Sequence, residues 1–339
     1  MLTPKENFLE TLKKDGKPDR LVNQYQPFVP IMNDPLQKFT RGNRVRGKTS
    51  VDRWGTEILF PEDAPGPMPH VTEANKVCPD VTRWQESVKV PDLIANCSDG
   101  WEDALSAASQ VDRSEKLVLG FMGTGIFEQS HFLMGFEDAL MNLLLEPESM
   151  QELVDAIAEY RFRYAKLLVD NLHPDIILSH DDWGSKQNVF LPPRVWRQII
   201  KPLQKEIADT IHDCGMIYMH HADCICQPIV TDMVEIGVDI WQGTIAQNDI
   251  VEIQRVTEGK LAMVGGIDGP KVDIENITEE EIRAEVRRAI DTYCPGGRFY
   301  PSIPNGICFR EWNNSIVMDE LHSYGRKYAQ EHPVGKYLG

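Results

Sequence analysis

The sequence predicts an α/β protein folded as a single (β/α)8 TIM barrel with a loop-rich N-terminal covering segment. Three observations predict it. After residue 115 an apolar strand, a polar loop and an amphipathic helix recur at least five times, the rhythm of a parallel sheet with helical crossovers. Polar residues keep following the strand ends: Asp181-Asp182, His221 and Asp223, Gln242, Asp268 and Ser302. A barrel gathers all such ends around one mouth. The loop Gly123-Thr124-Gly125 does not complete a dinucleotide fingerprint, because Glu128 stands where the third glycine would be. An open doubly wound sheet is therefore the weaker alternative. The 339 residues suit one barrel domain over 1–339.

The elements follow in chain order. Thr3, Pro4 and Glu6 form a capping box that starts a helix over 3–14, with Phe8, Leu9 and Leu12 as its stripe. Residues 21–28 read as a first strand. Residues 29–100 are irregular and rich in turn residues (Pro61, Gly66, Pro67, Pro69), and are expected to lie over the barrel mouth and wall a pocket. A short helix over 101–111 leads to a strand at 117–122. The clearest helix is 148–169, where Met150, Leu153, Val154, Ile157 and Tyr164 keep helical spacing. Strand 175–180 ends in His180-Asp181-Asp182-Trp183. Helix 193–213 carries Pro202 as a kink or break. Strands then fall at 216–222, 238–243, 261–265 and 299–303. Helices are expected around 229–236, at 249–256, from the Thr278/Glu281 capping box onward, and at 312–330.

Composition excludes several classes of function. A net charge of −17 argues against nucleic-acid binding, which needs a basic footprint, and against anionic membrane surfaces. Seven cysteines without scaffold spacing, and an N-terminus without an apolar signal core, suit a reducing cytoplasm.

The densest chemistry lies in Met216–Cys226, M-I-Y-M-H-H-A-D-C-I-C. Strand side chains alternate, so His221 and Asp223 share one face while His220, Cys224 and Cys226 share the other. Either set could bind a metal or handle protons. His180 and Asp182, at the end of the preceding strand, and Glu128 are candidate acids or further ligands. Trp183, Trp241 and Gln242 are candidates for walling an aromatic substrate.

Short matches spread along the chain resemble the uroporphyrinogen decarboxylase superfamily. They are Thr3-Pro4-Lys5-Glu6 with Pro18-Asp19-Arg20, Trp54-Gly55, Val88–Asp92, Gly135-Phe136-Glu137, Asp181–Gly184, Gly237-Val238-Asp239 and Gly265–Asp268. The arginine-rich N-terminal motif of the decarboxylases is absent, Arg41, Arg44 and Arg46 standing in a different pattern. The chain looks more like the branch of methyltransferases that serve corrinoid proteins. That resemblance implies a zinc site made by a His-x-Cys after a barrel strand plus a later Cys. Counting from Gly237-Val238-Asp239, His221 falls on the His and Asp223 on the first Cys, while the later Cys falls near Ile303. The expected metal set is therefore His221, Asp223 and a third residue, Cys224 if the chain turns after Ala222. The catalytic candidates are Asp182, His180 and Glu128. The implied activity is transfer of a methyl group from a small methylated donor, such as a methoxyaromatic, to the cobalt of a corrinoid. No D-x-H-x-x-G cobalamin motif occurs, so that corrinoid is expected on a partner protein. A homodimer is compatible with this. A metal-free, decarboxylase-like lyase and a non-catalytic ligand- or corrinoid-protein-binding relative are the alternative functions.

Overall fold

Seven strands form one parallel sheet: β1 (Phe28–Ile31), β5 (Leu117–Met122), β6 (Ile176–His180), β7 (Ile217–His221), β8 (Ile240–Thr244), β9 (Ala262–Gly266) and β10 (Phe299–Ser302), neighbours in that order. A separate antiparallel sheet contains β2 (Lys48–Val51), β3 (Glu57–Phe60) and β4 (Met68–Pro69). The computed structural model describes all residues except 14–15, 24–25, 43, 65, 305–307 and 333–339.

The parallel sheet curls around its own core. Leu117 and Leu119 of β5, Ile176 of β6, Met219 of β7, Ile240 of β8, Ala262 and Val264 of β9 and Tyr300 of β10 meet in one buried cluster. These residues alternate along their strands, so each strand turns one face inward. Tyr218, Trp241 and Met263, one residue out of phase, join the cluster shared with the surrounding helices.

The sheet has seven strands rather than the eight expected. Among the described residues β1 and β10 share no ladder, and the gap is filled by a side chain. Phe8, from helix Pro4–Leu12, stacks on Tyr300 at 4.4 Å and meets Phe28 edge-on at 4.8 Å. The Tyr300 hydroxyl donates to the Phe8 carbonyl at 2.7 Å. An amphipathic helix thus closes the seam where an eighth strand would pair. The segment 21–28, read as a first strand, contributes Val22 to the inner cluster, but its ladder begins only at Phe28.

Other elements differ in detail. Residues 29–100 hold more regular structure than expected, including helix Pro35–Arg41, whose cap is the Asp34 carboxylate accepting from Gln37 N. The kink at Pro202 is a full break between helices Pro193–Ile199 and Lys201–Asp213. The long helix runs Pro147–Leu172 and buries Met150, Leu153, Val154, Ile157, Tyr164 and Leu168. Among the described residues no helix is long and apolar enough to cross a membrane.

Candidate active site

The inward phase of the strands decides which polar residues reach the mouth. On β7 the inward residues are Ile217, Met219 and then His221; on β6 they are Ile176, Leu178 and then His180. The register pairs His180 with His221 directly. Their rings stack at 4.3 Å and 23°. Asp182 lies two residues beyond His180, and its Oδ1 accepts from the Asp223 N–H at 2.9 Å. One ligand atom from each of His180, Asp182 and His221 can be chosen so that all lie within 4.8 Å of one another.

Both imidazoles are held by their Nδ1. His180 Nδ1 donates to Glu128 Oε2 at 2.9 Å. His221 Nδ1 donates to Gln242 Oε1, and Gln242 Nε2 donates to the Pro304 carbonyl at 3.0 Å, which fixes the amide's orientation. Each ring therefore keeps Nε2 as its free nitrogen. Two histidines fixed by hydrogen bonds at their second nitrogen, beside a carboxylate, fit a catalytic zinc or similar divalent ion that keeps one coordination position open.

Glu128 is placed by a buried device. Its helix, Ile126–Met134, is capped in trans by the Asp181 carboxylate, which accepts from the N–H groups of Ile126, Phe127 and Glu128 at 3.1, 3.3 and 3.0 Å. Trp183 Nε1 and Gln204 Nε2 also donate to Asp181, at 3.0 and 3.1 Å. Gly125 is required here, because a Cβ would lie 2.0 Å from Asp181 Cγ. Fully buried Arg161 holds the same loop through the Gly123 and Thr124 carbonyls and donates to Ser179 Oγ at 2.6 Å.

The electrostatics separate the groups. Burial raises the Glu128 carboxyl, but the charge and hydrogen bond of His180 outweigh it and bring it down to about 2. Burial lowers His180, yet Glu128 lifts it to about 9. Burial and the His180 charge push His221 down to about 4. Burial and the Glu128 charge raise Asp182 to about 7. Without a metal the site holds a charged and a neutral histidine, stacked, beside a carboxylic acid that titrates near neutrality.

A cavity of about 390 Å³ opens onto this group. Glu128, His180 and Asp182 line its floor, and Phe121, Phe132, Phe136 and Phe190 its walls, with His131 among them. Arg41, Arg44 and Pro67–Pro69 close it from the N-terminal segment. The volume is that of a small-molecule site.

Several expected residues lie elsewhere. Trp183 and Trp241 are buried outside the sheet and wall no pocket. Trp183 stacks on His220 at 3.9 Å, and Trp241 Nε1 donates to the Ala222 carbonyl at 2.9 Å. Cys224, expected as a third ligand, is buried in the outer cluster with its Sγ 3.5 Å from that of Cys226. Asn248 fixes that turn, donating to the Cys224 carbonyl at 3.0 Å and accepting from Cys226 N at 3.2 Å. Asp223 pairs with Lys186 at 3.0 Å and stays outside the three-residue group. Gln242 serves His221 and does not line the cavity. The metal set suggested by the sequence thus contributes only His221, and His180 and Asp182 take the other places. The phenylalanine walls and the two arginines were not anticipated; Gly135-Phe136 was noted only as a family match.

Comparisons with known proteins agree with this architecture. Residues 52–301 match uroporphyrinogen decarboxylase (URO-D), so the chain belongs to that family. No curated protein matches the sequence. The structure is similar to that of a methyltransferase from Methanosarcina mazei, at 16% identity and a TM-score of 0.66, over 96% of this chain and 99% of that one.

Proposed function

We propose that this member of the uroporphyrinogen decarboxylase family is a methyltransferase. On this reading it moves a methyl group from a small methoxyaromatic donor to the cobalt of a corrinoid held by a partner protein. The observation that carries the proposal is the His180–Asp182–His221 group, with both Nδ1 atoms engaged, at the floor of a phenylalanine-walled cavity. The likeness to a methyltransferase fold is compatible with it.

The chemical difficulty is the leaving group. Breaking the CH3–O bond leaves its electron pair on a phenolate oxygen, while the methyl carbon passes to the nucleophile. A divalent metal on His180, Asp182 and His221 would supply Lewis-acid polarisation of that oxygen. The chain's own residues do the rest. Glu128 and Gln242 hold the two imidazoles in the tautomer that presents Nε2. Asp182, titrating near 7, is placed to give a proton to the departing oxygen in a metal-free turnover. The phenylalanines hold a planar ring and exclude water from the floor.

The test is elemental analysis of the purified protein, followed by turnover with reduced corrinoid protein and a methoxybenzoate. One divalent metal per chain and methylated corrinoid are expected. Release of carbon dioxide from a carboxylated substrate, without methyl transfer, would replace this reading with the lyase alternative.

A further inference from the structure

The arginines at the pocket entrance carry an inference about the donor itself, one that rests on the methyltransferase reading above. Most arginines here are engaged by acids: Arg83 with Glu86, Arg197 with Asp232, Arg283 and Arg287 with Glu320, Arg288 with Glu285. Arg41 and Arg44 form no ion pair with any described residue, in a chain of net charge −17. Both are half-buried and line the cavity. Each uses one N–H in a long bond: Arg41 Nη1 to Gln37 Oε1 and Arg44 Nε to the Arg41 carbonyl, both at 3.3 Å. Most of their donors remain for something else.

The acids that act on them from a distance are already committed. Asp52 faces Arg44, but its Oδ1 accepts from Trp54 N and Thr56 N at 2.9 Å each. Glu128 acts on Arg41 but bonds His180 and Gly125 N. A cation at a helix C-terminus is often only a favourable end charge. Arg41, however, is positioned. Gln37 Nε2 donates to the Phe121 carbonyl and the Tyr164 hydroxyl, both at 2.7 Å, and ties the helix to β5. From there the Arg41 guanidinium lies over the Phe121 ring, 5.5 Å from its centre, on the strand adjacent to the one carrying His180.

We propose that Arg41 and Arg44 form a carboxylate subsite, so that the methyl donor is an aromatic acid carrying a methoxy group. Two adjacent guanidiniums suit a planar carboxylate, which accepts from both. The donor's ring lies among Phe121, Phe132, Phe136 and Phe190, and its methoxy oxygen faces His180 and Asp182. The acid end fixes the ring's direction, so binding energy remote from the reacting bond aims that bond at the floor.

Calorimetric titration of the full chain with 2-, 3- and 4-methoxybenzoate, and with the matching neutral methoxybenzamides, tests this without corrinoid or partner. At least one benzoate binds tenfold or more tightly than its amide. Arg41→Gln and Arg44→Gln each weaken that benzoate on the order of tenfold and leave the amide unchanged. Arg46→Gln changes neither, because Arg46 bonds the Glu62 and Ala64 carbonyls away from the cavity. Arg44→Lys keeps part of the preference, with steeper salt dependence, and covers the case of a glutamine variant that fails to fold. Equal affinity for acid and amide, no benzoate binding at millimolar concentration, or an equal loss in Arg46→Gln would each overturn the subsite. Methyl transfer from neutral ethers without any acid preference would sink the subsite and leave the proposed activity standing. Acid-selective binding without methyl transfer would do the reverse.

Discussion

The two faces of β7 and its neighbours carry similar residues and have different fates. Inward lie His180, Asp182 and His221; outward lie His220, Trp183, Cys224 and Cys226. His220 is fully buried, stacks on Trp183, and has both nitrogens engaged, Nδ1 with the Tyr218 hydroxyl and Nε2 with the Asp181 carbonyl, each at 3.1 Å. Burial pushes it well below the usual histidine range. It is a neutral packing residue with nothing left to offer a ligand. His221, one residue later, keeps Nε2 free at a cavity. Residue type does not distinguish them; the number of uncommitted polar atoms does.

The largest expected effect comes from exchanging the two histidines' fates. His221→Ala removes one of three ligands, and metal content in dialysed protein should fall by more than the 10–100-fold typical of losing an orienting partner. Methyl transfer should vanish while the thermal midpoint changes little. His220→Ala should do the opposite, costing about 2–4 kcal/mol of stability through a buried cavity and two lost hydrogen bonds, with metal retained. If both variants lose stability alike and both keep metal, the contrast between the faces is wrong. Next in size is Asp182→Asn. It keeps the shape and the acceptor for Asp223 N but replaces a carboxylate ligand with an amide, so metal affinity and turnover should both drop. Glu128→Gln should cost affinity within the 10–100-fold range, since it weakens the bond that orients His180. Cys224→Ser sharpens the comparison from the other side. Metal and activity should persist, and only a modest loss of stability should register.

How much of this was legible follows from what fixes each residue. Alternation alone put His221 and Asp223 on one face and His220 with the cysteines on the other, because a period of two is dictated by the strand backbone. It could not say where the strand stops. The ladder ends at His221, the next turn is fixed by Asn248 from the following loop, and the cysteines settle in the outer cluster. The tryptophans misled for the same reason: Trp183 and Trp241 adjoin polar residues in the chain but fall on the outward phase. The seven-strand count was hidden because one side chain, Phe8, does the work of an eighth strand. Arg41, Arg44 and the phenylalanine walls come from segments far apart in the chain, and local periodicity holds no signal for such convergence.

The smallest expected effect concerns pH, and it isolates the Glu128–His180 pair. His180 is raised in the folded chain from 6.5 to about 9, by Glu128 against the opposing effect of burial. Its contribution to stability is therefore complete below about 6.5 and is lost as pH rises through 9. Glu128 is lowered from 4.5 to about 2, so its contribution is complete above 4.5 and is lost as pH falls through 2. Asp182, raised from 3.8 to about 7, adds a decline between those values as it ionises against Glu128. Metal-free wild type should thus lose thermal stability steadily from pH 6.5 to 9. Glu128→Gln removes the main cause of the His180 shift and the main repulsion on Asp182, and should flatten the profile. Midpoints recorded with a chelator at pH 6, 7, 8 and 9 decide it. Parallel slopes in the two proteins would mean that the decline originates elsewhere and that His180 is not held charged by Glu128. A flattened slope confined to the variant would tie the charge on the inward face to this one carboxylate, which the outward face, with its neutral His220, has no counterpart to.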